Sequence, residues 1–528
     1  MSDIQQITST LWEMANDLRG SMDASEYKNY ILAFMFYRYL SEHQENYLLN
    51  EDILDIEDGE SVNDAYIREA SGEDLADYLE DISSSLGYAI NPNDTWTSLI
   101  GKVNNSEIIP EDYQNIFDNF NSNCQLNANS EEDFSGIFSD INLGDSRLGS
   151  SINERTKSLN GIVNLINDVN FKSDDGKDIL GEIYEYLIGQ FAANAGKKGG
   201  EFYTPHQVSN ILAKIVTSDV DANDEAFYVY DPTMGSGSLL LTVGQQLDCD
   251  VPIKYYGQEK NTTTYNLARM NLMMHDVSYK NMDLSNADTL ESDWPDGIDE
   301  NGIDQPRVFD AIVANPPYSQ KWDNDSSKLK DPRFSDYGKL APKSRADYAF
   351  LLHSLYHLNE TGTMAIILPH GVLFRGGAEE KIRKTLIEKN YLDTVLGVPA
   401  NLFYGTSIPT VILVLRKNRQ NRDILFIDAS KEFKKGKNQN ELTDEHIDKI
   451  IKTYKDRCDV DKYAHVASFD EIEENDFNLN IPRYVDTFEE EEPIDLDEVL
   501  ANLKEDDEKI AKLEDEINEQ LKILGVIK

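Results

Sequence analysis

The spacing of apolar side chains near the start of the chain predicts helices. Apolar residues recur at three- and four-residue steps, the stripe of an amphipathic helix, at Ile4, Ile7, Leu11, Met14 and Leu18. A denser apolar run from Tyr30 to Leu40 predicts a helix buried in a core. Because shorter helical patterns continue through a polar stretch, we expect residues 1–155 to form an N-terminal helical domain.

The middle of the chain alternates short apolar runs with helical patterns. Runs rich in β-branched and aromatic residues predict strands at 226–231, 254–259, 308–315, 363–369, 392–399 and 410–416. Helical patterns separate most of them, at 238–247, 262–275, 347–358 and 378–389. This alternation predicts an α/β fold with a largely parallel sheet and helices on both faces. In such a sheet, ligands bind beyond the carboxyl ends of the strands.

The end of the chain carries a heptad pattern behind an acidic linker at 486–498. Apolar residues fall seven apart, the spacing of a coiled-coil seam, at Leu496, Leu503, Ile510, Ile517 and Leu524. Much of a second seam is filled by Val499, Leu513 and Leu521. Residues 481–528 are therefore predicted to be a linker and an amphipathic helix for subunit docking; packing on the helix's own domain is the alternative.

The net charge of the 528-residue chain is −48, with a pI near 4.4. Affinity for DNA depends largely on Lys and Arg neutralising phosphates, so this chain should repel a duplex over most of its surface. If it acts on DNA, another protein must hold the DNA. Solubility or a salty environment explains the acidic excess equally well.

The cysteines and the N-terminus bear on the cellular compartment. Cys124, Cys249 and Cys458 lie far apart, so neither a disulfide framework nor a zinc site is predicted, and no metal is expected. The chain does not begin with a signal-peptide pattern, and it has no apolar run of about 18 residues. We expect a cytoplasmic protein with no membrane association.

A glycine-rich turn follows the first predicted strand, in "VYDPTMGSGSLLL" (229–241). Gly235 and Gly237 let backbone N–H groups approach a ligand closely, although the pattern is neither GxGxxG nor a Walker loop. Asp231 before the turn would repel a pyrophosphate and attract a cation, which favours a cofactor bearing an ammonium and a sulfonium. Glu259, at the end of the next strand, can accept hydrogen bonds from ribose hydroxyls. A structural turn and a solvated surface Glu are the alternatives.

The strand at 308–315 ends in "ANPPYS" (314–319). Proline ends a strand ladder, so Pro316 and Pro317 predict a rigid exit loop. The carboxamide oxygen of Asn315 and the carbonyl oxygen of Pro316 can then face one point, where two acceptors suit an amino group. Tyr318 offers a face on which a planar ring can stack. A plain turn would also tolerate Asn-Pro-Pro.

These motifs, in this order, resemble the γ-type N6-adenine DNA methyltransferases, and more closely the modification (methyltransferase) subunit of type I restriction–modification systems. The motifs that carry the resemblance are "EFYTP" (201–205), "DPTMGSGSLLL", "GQE", "NADTL" (286–290), "NPPY" (315–318) and "NLFYGTSIPTVILVL" (401–415). "NLNIPRYVD" (478–486) near the end is also typical of that subunit. The resemblance spans nearly the whole chain. It implies a Rossmann-like methyltransferase domain at 156–480.

The resemblance implies S-adenosyl-L-methionine as methyl donor and the N6 amino group of adenine in DNA as acceptor. The cofactor-binding residues that it implies are Glu201, Phe202, Tyr203, Thr204, Pro205, Asp231, Thr233, Gly235, Ser236, Gly237, Ser238, Glu259 and Asp288. It implies a catalytic turn of Asn315, Pro316, Pro317 and Tyr318. Tyr318 and Phe403 would stack on the target base, with Tyr404 as the alternative to Phe403.

Partners follow from the same resemblance. It implies double-stranded DNA, a separate specificity subunit that reads the sequence, a restriction/translocase subunit, and a second copy of this chain. A locally basic stretch downstream of Tyr318 favours contact with the DNA backbone over a merely solvated loop; it contains Lys321, Lys328, Lys330, Arg333, Lys339, Lys343 and Arg345. "GKKGG" (196–200) is a flexible cationic segment that is a candidate for a loop ordering on DNA or cofactor, with a solvated charge cluster as the equal alternative.

Two other functions compete with DNA methylation. Protein glutamine methyltransferases also use an Asn-Pro-Pro-Tyr loop, and acidity suits a protein substrate, but the "EFYTP" segment and the aromatic residue in "NLFYGT" argue against this reading. A non-catalytic assembly protein would keep the fold without activity, and the intact motifs argue against it.

Overall fold

The computed structural model describes residues 11–12, 22, 24–171, 179–194, 203–220, 225–247, 251–291, 296–298, 304–404, 406–436, 439–487 and 496–524. The chain divides into two compact units, Met1–Val485 and Asp486–Lys528. Most of the predicted helical stripe at residues 4–18 lies outside the described residues, as does 196–200.

The first part of the larger unit is helical, as predicted. Its long first helix carries the apolar run at Tyr30–Leu40, and Phe34, Phe36 and Tyr37 are fully buried on it. A cluster of aromatic rings surrounds them, including Phe117 and Phe138 stacked with centroids 4.4 Å apart. The helices are α1 (Ala24–Asn50), α2 (Val62–Glu69), α3 (Leu75–Leu86), α4 (Trp96–Asn104), α5 (Pro110–Asn123), α6 (Glu131–Phe134), α7 (Ile152–Asp168) and α8 (Leu180–Asn194).

A nine-stranded sheet forms the centre of the same unit. Its strands are β1 (Phe227–Asp231), β2 (Ile253–Gln258), β3 (Met282–Ser285), β6 (Phe309–Ala314), β7 (Leu358–Pro369), β8 (Leu392–Gly397), β9 (Thr410–Leu415), β10 (Ile424–Asp428) and β13 (Ala464–Ala467). Their order across the sheet is β13-β10-β8-β9-β7-β6-β1-β2-β3. All strands are parallel except β9 and β13, which pair antiparallel with their neighbours. Two separate two-stranded sheets pair β4 (Asp296–Ile298) with β5 (Asp304–Pro306) and β11 (Lys434–Lys435) with β12 (Asn440–Glu441).

Helices cover both faces of this sheet, so the α/β prediction is confirmed. Side chains alternate along β6: Ala311 and Val313 join the core that includes the helical part, whereas Ile312 and Ala314 join a second core on the other face. Burial on both faces explains why the strands read as continuous apolar runs. The helices of this part are α9 (His206–Val216), α10 (Ser238–Gln246), α11 (Thr262–Met274), α12 (Pro332–Ser335), α13 (Asp347–Tyr356), α14 (Ala378–Glu388), α15 (Asp444–Asp456) and α16 (Phe469–Glu474).

The chain reverses its direction of travel across the sheet between β1 and β6. From β1 it proceeds outward through β2 to β3, then returns to pair β6 with the other side of β1. At such a switch point the two crossover connections diverge and leave a crevice beyond the carboxyl ends of the strands. Asp231, the last residue of β1, and Asn315, directly after β6, therefore lie on neighbouring strands at this crevice.

The smaller unit contains α17 (Leu496–Ile523). Its apolar seam is exposed, with more than half of the side-chain surface of Leu503, Ile510, Leu513 and Ile517 open to solvent. A helix with this seam gains stability when a second helix covers it. Within the described residues, no helix is both long and apolar enough to cross a membrane.

Candidate active site

The turn after β1 is shaped by two glycines with positive φ. Gly235 has φ 56° and Gly237 has φ 76°, a conformation that residues with a Cβ avoid. A Cβ on Gly237 would lie 2.4 Å from Cδ1 of Leu272, so a side chain there would have to displace this leucine of α11. The backbone N–H of Met234 donates to the carbonyl of Gln258 at 3.0 Å, which ties the turn to β2.

Asp231 ends β1 with its carboxylate buried; only 1% of the residue is exposed. The backbone N–H of Thr233 donates to Oδ1 of Asp231 at 2.9 Å, and its hydroxyl lies 3.4 Å from the same atom. Burial nevertheless raises the pKa of Asp231 to about 7, with a smaller contribution from Glu259. Among the residues that the structure describes, no cation pairs with this carboxylate, which favours a ligand that brings positive charge.

Glu259 follows β2 and faces the same turn. Burial raises the pKa of Glu259, opposed by backbone hydrogen bonds from Asn261 and Gly235. Asp288 follows β3, where Lys260 forms an ion pair with it at 2.7 Å. The structure therefore brings Asp231, Glu259 and the glycine turn together, and it gives Asp288 a cationic partner that the sequence did not reveal.

Ser236 and Ser238, on either side of Gly237, are hydrogen-bonded to each other and to Asn271 of α11. Their hydroxyls lie 3.1 Å apart, and Nδ2 of Asn271 donates to the carbonyl of Ser236 at 2.9 Å. The other carboxamide atom, Oδ1 of Asn271, is buried and has no hydrogen-bond partner among the described residues.

Asn315 is held by hydrogen bonds on both sides of its carboxamide. Its Nδ2 donates to Oγ1 of Thr204 at 3.0 Å, and its Oδ1 accepts from the hydroxyl of Tyr318 at 2.8 Å. The sequence predicted an oxygen facing an open crevice. In this structure the Tyr318 hydroxyl donates to that oxygen, so a further donor would have to replace the hydroxyl or use the oxygen's second lone pair. Thr204 contacts the Asn-Pro-Pro-Tyr turn directly, which its predicted cofactor role did not anticipate.

Two aromatic rings complete the surroundings of Asn315. The rings of Tyr318 and Phe403 meet edge to face, with centroids 6.0 Å apart and an interplanar angle of 86°. Phe403 is buried, whereas the ring of Tyr404 packs 6.0 Å from that of Tyr203. The structure therefore brings Phe403 to Tyr318 and places Tyr404 beside "YTP" (203–205).

Asp347 supports the Asn-Pro-Pro-Tyr turn, and the sequence analysis did not identify it. Ser319 has φ 54°, which is unfavourable for a residue with a side chain. Its N–H donates to Oδ1 of Asp347 at 2.9 Å, and Oδ2 of Asp347 pairs with Nη1 of Arg375 at 3.0 Å. The acidic residue in the first turn of α13 was the available signal, but the contact joins residues 28 positions apart.

Replacing Asp347 with alanine should lower the free energy of unfolding by about 3 kcal/mol, because it leaves the Ser319 N–H and part of Arg375 unpaired in a buried site. Asp347→Asn keeps an acceptor for the Ser319 N–H, so its free energy of unfolding should fall by less. Urea denaturation of both variants measures the difference. Equal stability of Asp347→Ala and the wild-type chain would contradict the anchoring role.

The basic stretch after Tyr318 is only partly available to DNA. Arg333 is buried: it pairs with Asp331 at 2.6 Å, and its Nη1 donates to the carbonyl of Thr289 and to Nδ1 of His353. The predicted DNA contact is therefore wrong for Arg333. Lys328 pairs with Glu291 at 2.8 Å. The exposed cations of the stretch are Lys321, Lys330, Lys339 and Lys343.

Two predicted cofactor residues, Glu201 and Phe202, lie outside the described residues. Pro205 is described and precedes α9. The other predicted residues divide into two groups at the switch point. One surrounds the turn after β1, and the other surrounds the Asn-Pro-Pro-Tyr turn after β6.

The doubly wound sheet, with these two groups at its switch point, has the architecture of a methyltransferase. The family model described as N-6 DNA Methylase matches residues 175–493, and the one described as HsdM N-terminal domain matches residues 7–166. The chain belongs to the family of type I restriction enzyme methylase subunits.

Individual relatives agree with this assignment. The chain is 38% identical over 509 residues to the type I restriction enzyme MpnII methylase subunit of Mycoplasma pneumoniae, covering 93% of this chain and 91% of the relative. The HindI methylase subunit of Haemophilus influenzae is 33% identical, with 71% and 87% covered. The crystal structure of the type I restriction–modification methyltransferase subunit from Streptococcus thermophilus is 46% identical, with a TM-score of 0.83 and coverage of 92% of this chain and 100% of that one.

Proposed function

We propose that this chain is the methyltransferase subunit of a type I restriction–modification complex and transfers a methyl group from S-adenosyl-L-methionine to the N6 amino group of adenine in double-stranded DNA. The observation that carries the proposal is the position of Asp231 and Asn315 at the ends of adjacent strands, one suited to a cationic cofactor and the other to an amino group. Family membership does not favour the protein glutamine methyltransferase alternative.

The residues around the glycine turn fit this cofactor. The buried carboxylate of Asp231 suits an ammonium, and Glu259 suits ribose hydroxyls. The unpartnered Oδ1 of Asn271 is a further acceptor beside the turn. Asp288 would reach the cofactor's adenine if its ion pair with Lys260 opens. When bound, the cofactor supplies an electrophilic methyl group on a sulfonium.

The chain's own part of the chemistry is to orient the amino group. The exocyclic nitrogen of adenine is conjugated with its ring and is a poor nucleophile. The two N–H groups of this nitrogen would donate hydrogen bonds to Oδ1 of Asn315 and to the carbonyl oxygen of Pro316. These bonds would hold the nitrogen in a tetrahedral shape with its lone pair free. Thr204, which accepts from the Asn315 amide, fixes which end of the carboxamide is the acceptor. The nitrogen would form a bond to the methyl carbon as the methyl–sulfur bond breaks and its electron pair stays on sulfur, and the nitrogen would afterwards lose one proton to water.

Access to the amino group requires the adenine to leave the duplex. Eversion costs a few kcal/mol, whereas exchange of the Tyr318–Asn315 hydrogen bond for one to the base costs at most about 1 kcal/mol. Eversion is therefore the larger barrier. Stacking on Tyr318 and Phe403 offsets part of it.

The partners follow from charge and from α17. With a net charge of −48, this chain needs a more basic specificity subunit to hold the duplex and read its sequence. We further propose a second copy of this chain and a restriction/translocase subunit in the complex, as in the family. The domain division at 1–155, 156–480 and 481–528 also remains a proposal, with the last part as the docking segment.

Ile510→Asp should abolish stable assembly with the specificity subunit, because a charge in the apolar seam of α17 opposes burial against another helix. Ile510 is exposed in the free chain, so the substitution should leave the free energy of unfolding of the chain unchanged. Lys512→Asp, on the same helix but outside the seam, is the matched control. Co-purification measured by size-exclusion chromatography tests the pair. Normal assembly of Ile510→Asp would mean that α17 does not dock through this seam.

Transfer of labelled methyl groups to duplex DNA tests the proposed activity. The purified chain is assayed with and without its co-expressed specificity subunit, and a parallel reaction contains protein extract without DNA. We expect labelled DNA only when both subunits are present, with the label recovered as N6-methyladenine after digestion. Label on protein glutamine, or none on DNA under any condition, would refute the proposal.

A further inference from the structure

A small basic hairpin lies at the same edge of the sheet as the candidate active site. It follows β10, which runs parallel to β8 and so ends at the carboxyl edge. Its strands are β11 and β12, paired antiparallel with Lys434 opposite Glu441. Neither the family match nor the basic stretch after Tyr318 assigns this segment a role.

The hairpin is fastened to the loop that carries Phe403. The N–H of Asn440 donates to the carbonyl of Asn401 at 2.9 Å, and its Nδ2 donates to the carbonyl of Ala400 at 2.8 Å. Nε2 of Gln439 donates to the carbonyl of Leu402 at 2.6 Å. These bonds hold one strand of the hairpin against the residues that directly precede Phe403. The other strand, β11, faces outward, with both of its residues exposed.

The exposed strand concentrates positive charge in a strongly acidic chain. Lys431, Lys434 and Lys435 are all exposed, as is the aromatic ring of Phe433 between them. Lys434 and Lys435 form no ion pair with any other residue that the structure describes.

Two carboxylates belong to the same segment. Glu432 turns toward α15, where it pairs with Lys449 at 2.5 Å. Glu441 is the cross-strand neighbour of Lys434; burial raises the pKa of the Tyr404 hydroxyl, with a smaller contribution from Glu441. Because Glu432 is already paired, it does not neutralise the lysines of β11.

We propose that β11 is a DNA-backbone contact that grips phosphates next to the everted adenine, with Lys434 and Lys435 as its cationic groups. The inference deepens the proposed function and rests on it for the identity of the nucleic acid. Lysines neutralise phosphates without reading sequence. Attachment to residues 400–402 means that a phosphate bound by the hairpin is held at a fixed distance from Phe403. Two chain segments form the proposed base site, one ending in Tyr318 and the other carrying Phe403. The exposed lysines at 321–343 follow Tyr318, whereas the hairpin is attached to the segment that carries Phe403.

The test is a salt titration of DNA binding by the assembled complex with its specificity subunit. The double variant Lys434→Gln/Lys435→Gln is compared with the wild-type chain on a fluorescent duplex that the wild-type complex methylates, or on sheared genomic DNA if it methylates none. Each lost phosphate contact should make the slope of log affinity against log salt shallower by about 1. Between about 50 and about 200 mM salt, the wild-type complex should lose roughly tenfold more affinity than the variant. The apparent KM for DNA should rise, and cofactor affinity should not change.

The matched control is Lys452→Gln/Lys455→Gln, two exposed lysines on α15, where Lys455 lines a cavity with Asp393 at the opposite edge of the sheet. This control should retain the wild-type slope. An unchanged slope for the hairpin variant would overturn the inference, as would a loss of subunit assembly with DNA binding otherwise intact, which would identify a protein partner instead. Binding is measured independently of methylation, so a complex that binds DNA through the hairpin but methylates none would refute the proposed function and not this inference.

Discussion

Asn315→Ala should reduce methyl transfer to adenine by at least about a hundredfold while leaving cofactor binding intact, because it removes an acceptor that acts on the reacting nitrogen. The carboxamide also anchors the hydroxyls of Thr204 and Tyr318, so both lose a partner in the variant. Single-turnover transfer under saturating DNA measures the chemical step, and calorimetric titration with S-adenosyl-L-methionine measures cofactor binding.

Asn418→Ala is the control for this loss. Asn418 is exposed, and it follows β9 at the opposite edge of the sheet. This variant should transfer methyl groups at the wild-type rate. Asn315→Ala with a rate within a few-fold of wild type would show that the amino group is oriented by other residues.

Asp231→Asn should weaken cofactor binding by roughly a hundredfold, because it removes the buried negative charge that faces the ammonium. The ionisation of Asp231 should also make the affinity for the cofactor depend on pH. The pKa of Asp231 in the empty chain is about 7, and a bound ammonium favours the ionised form. Wild-type affinity should therefore fall about tenfold per pH unit below pH 7, whereas the Asn variant should show no such dependence from this position. Titrations between pH 5.5 and pH 8 measure both effects. A pH-independent wild-type affinity would remove Asp231 from the ammonium site.

The stability of the empty chain should change in the opposite direction. The pKa of Asp231 is raised above its ordinary value of 3.8, so folding binds a proton. Its contribution to stability is complete below about pH 4 and is lost as the pH rises through about 7. Asp231→Asn cannot ionise, so without cofactor it should be more stable than the wild-type chain at pH 8. Thermal unfolding at pH 5.5 and pH 8 tests the sign.

Much of the sheet could be predicted because its strands are buried on both faces. β1, β6 and β9 are short, apolar and bounded by turn residues, and the structure has them within two residues of the predicted bounds. The strand β3 (Met282–Ser285), by contrast, has one buried residue and three that are half-buried or exposed, so its pattern carried no signal. An edge strand such as β3 was missed because it buries few residues, whereas the interior strand β10 (Ile424–Asp428) was missed although four of its five residues are buried.

The glycine turn and the Asn-Pro-Pro-Tyr turn could be predicted because each is contiguous in sequence. The contacts between segments could not. The bond from Asn315 to Thr204 joins residues 111 positions apart, and the hairpin reaches Leu402 from Gln439. Local patterns of polarity do not specify such pairs, which depend on the register of the folded sheet.

Charge along the sequence was also an incomplete guide to function. Arg333 was predicted to contact DNA because it lies in a basic stretch, but its guanidinium satisfies a buried carbonyl and a histidine. Lys434 and Lys435 lie in a short lysine-rich segment (431–437) that belongs to none of the recognised motifs, so they were not singled out. In the structure, the neighbouring carboxylate of Glu432 turns away to Lys449. Whether a cation is available to a ligand is decided by its partners in the fold.

The central claim is that Asn315 and Pro316 converge on the exocyclic amine of an everted adenine. A structure of the assembled complex with S-adenosyl-L-homocysteine and methylatable duplex DNA tests it most directly. We predict that adenine N6 lies about 3 Å from both Oδ1 of Asn315 and the carbonyl oxygen of Pro316, with the Tyr318 hydroxyl displaced and its ring stacked on the base. An everted adenine bound elsewhere, with the Tyr318–Asn315 hydrogen bond still intact, would contradict the account.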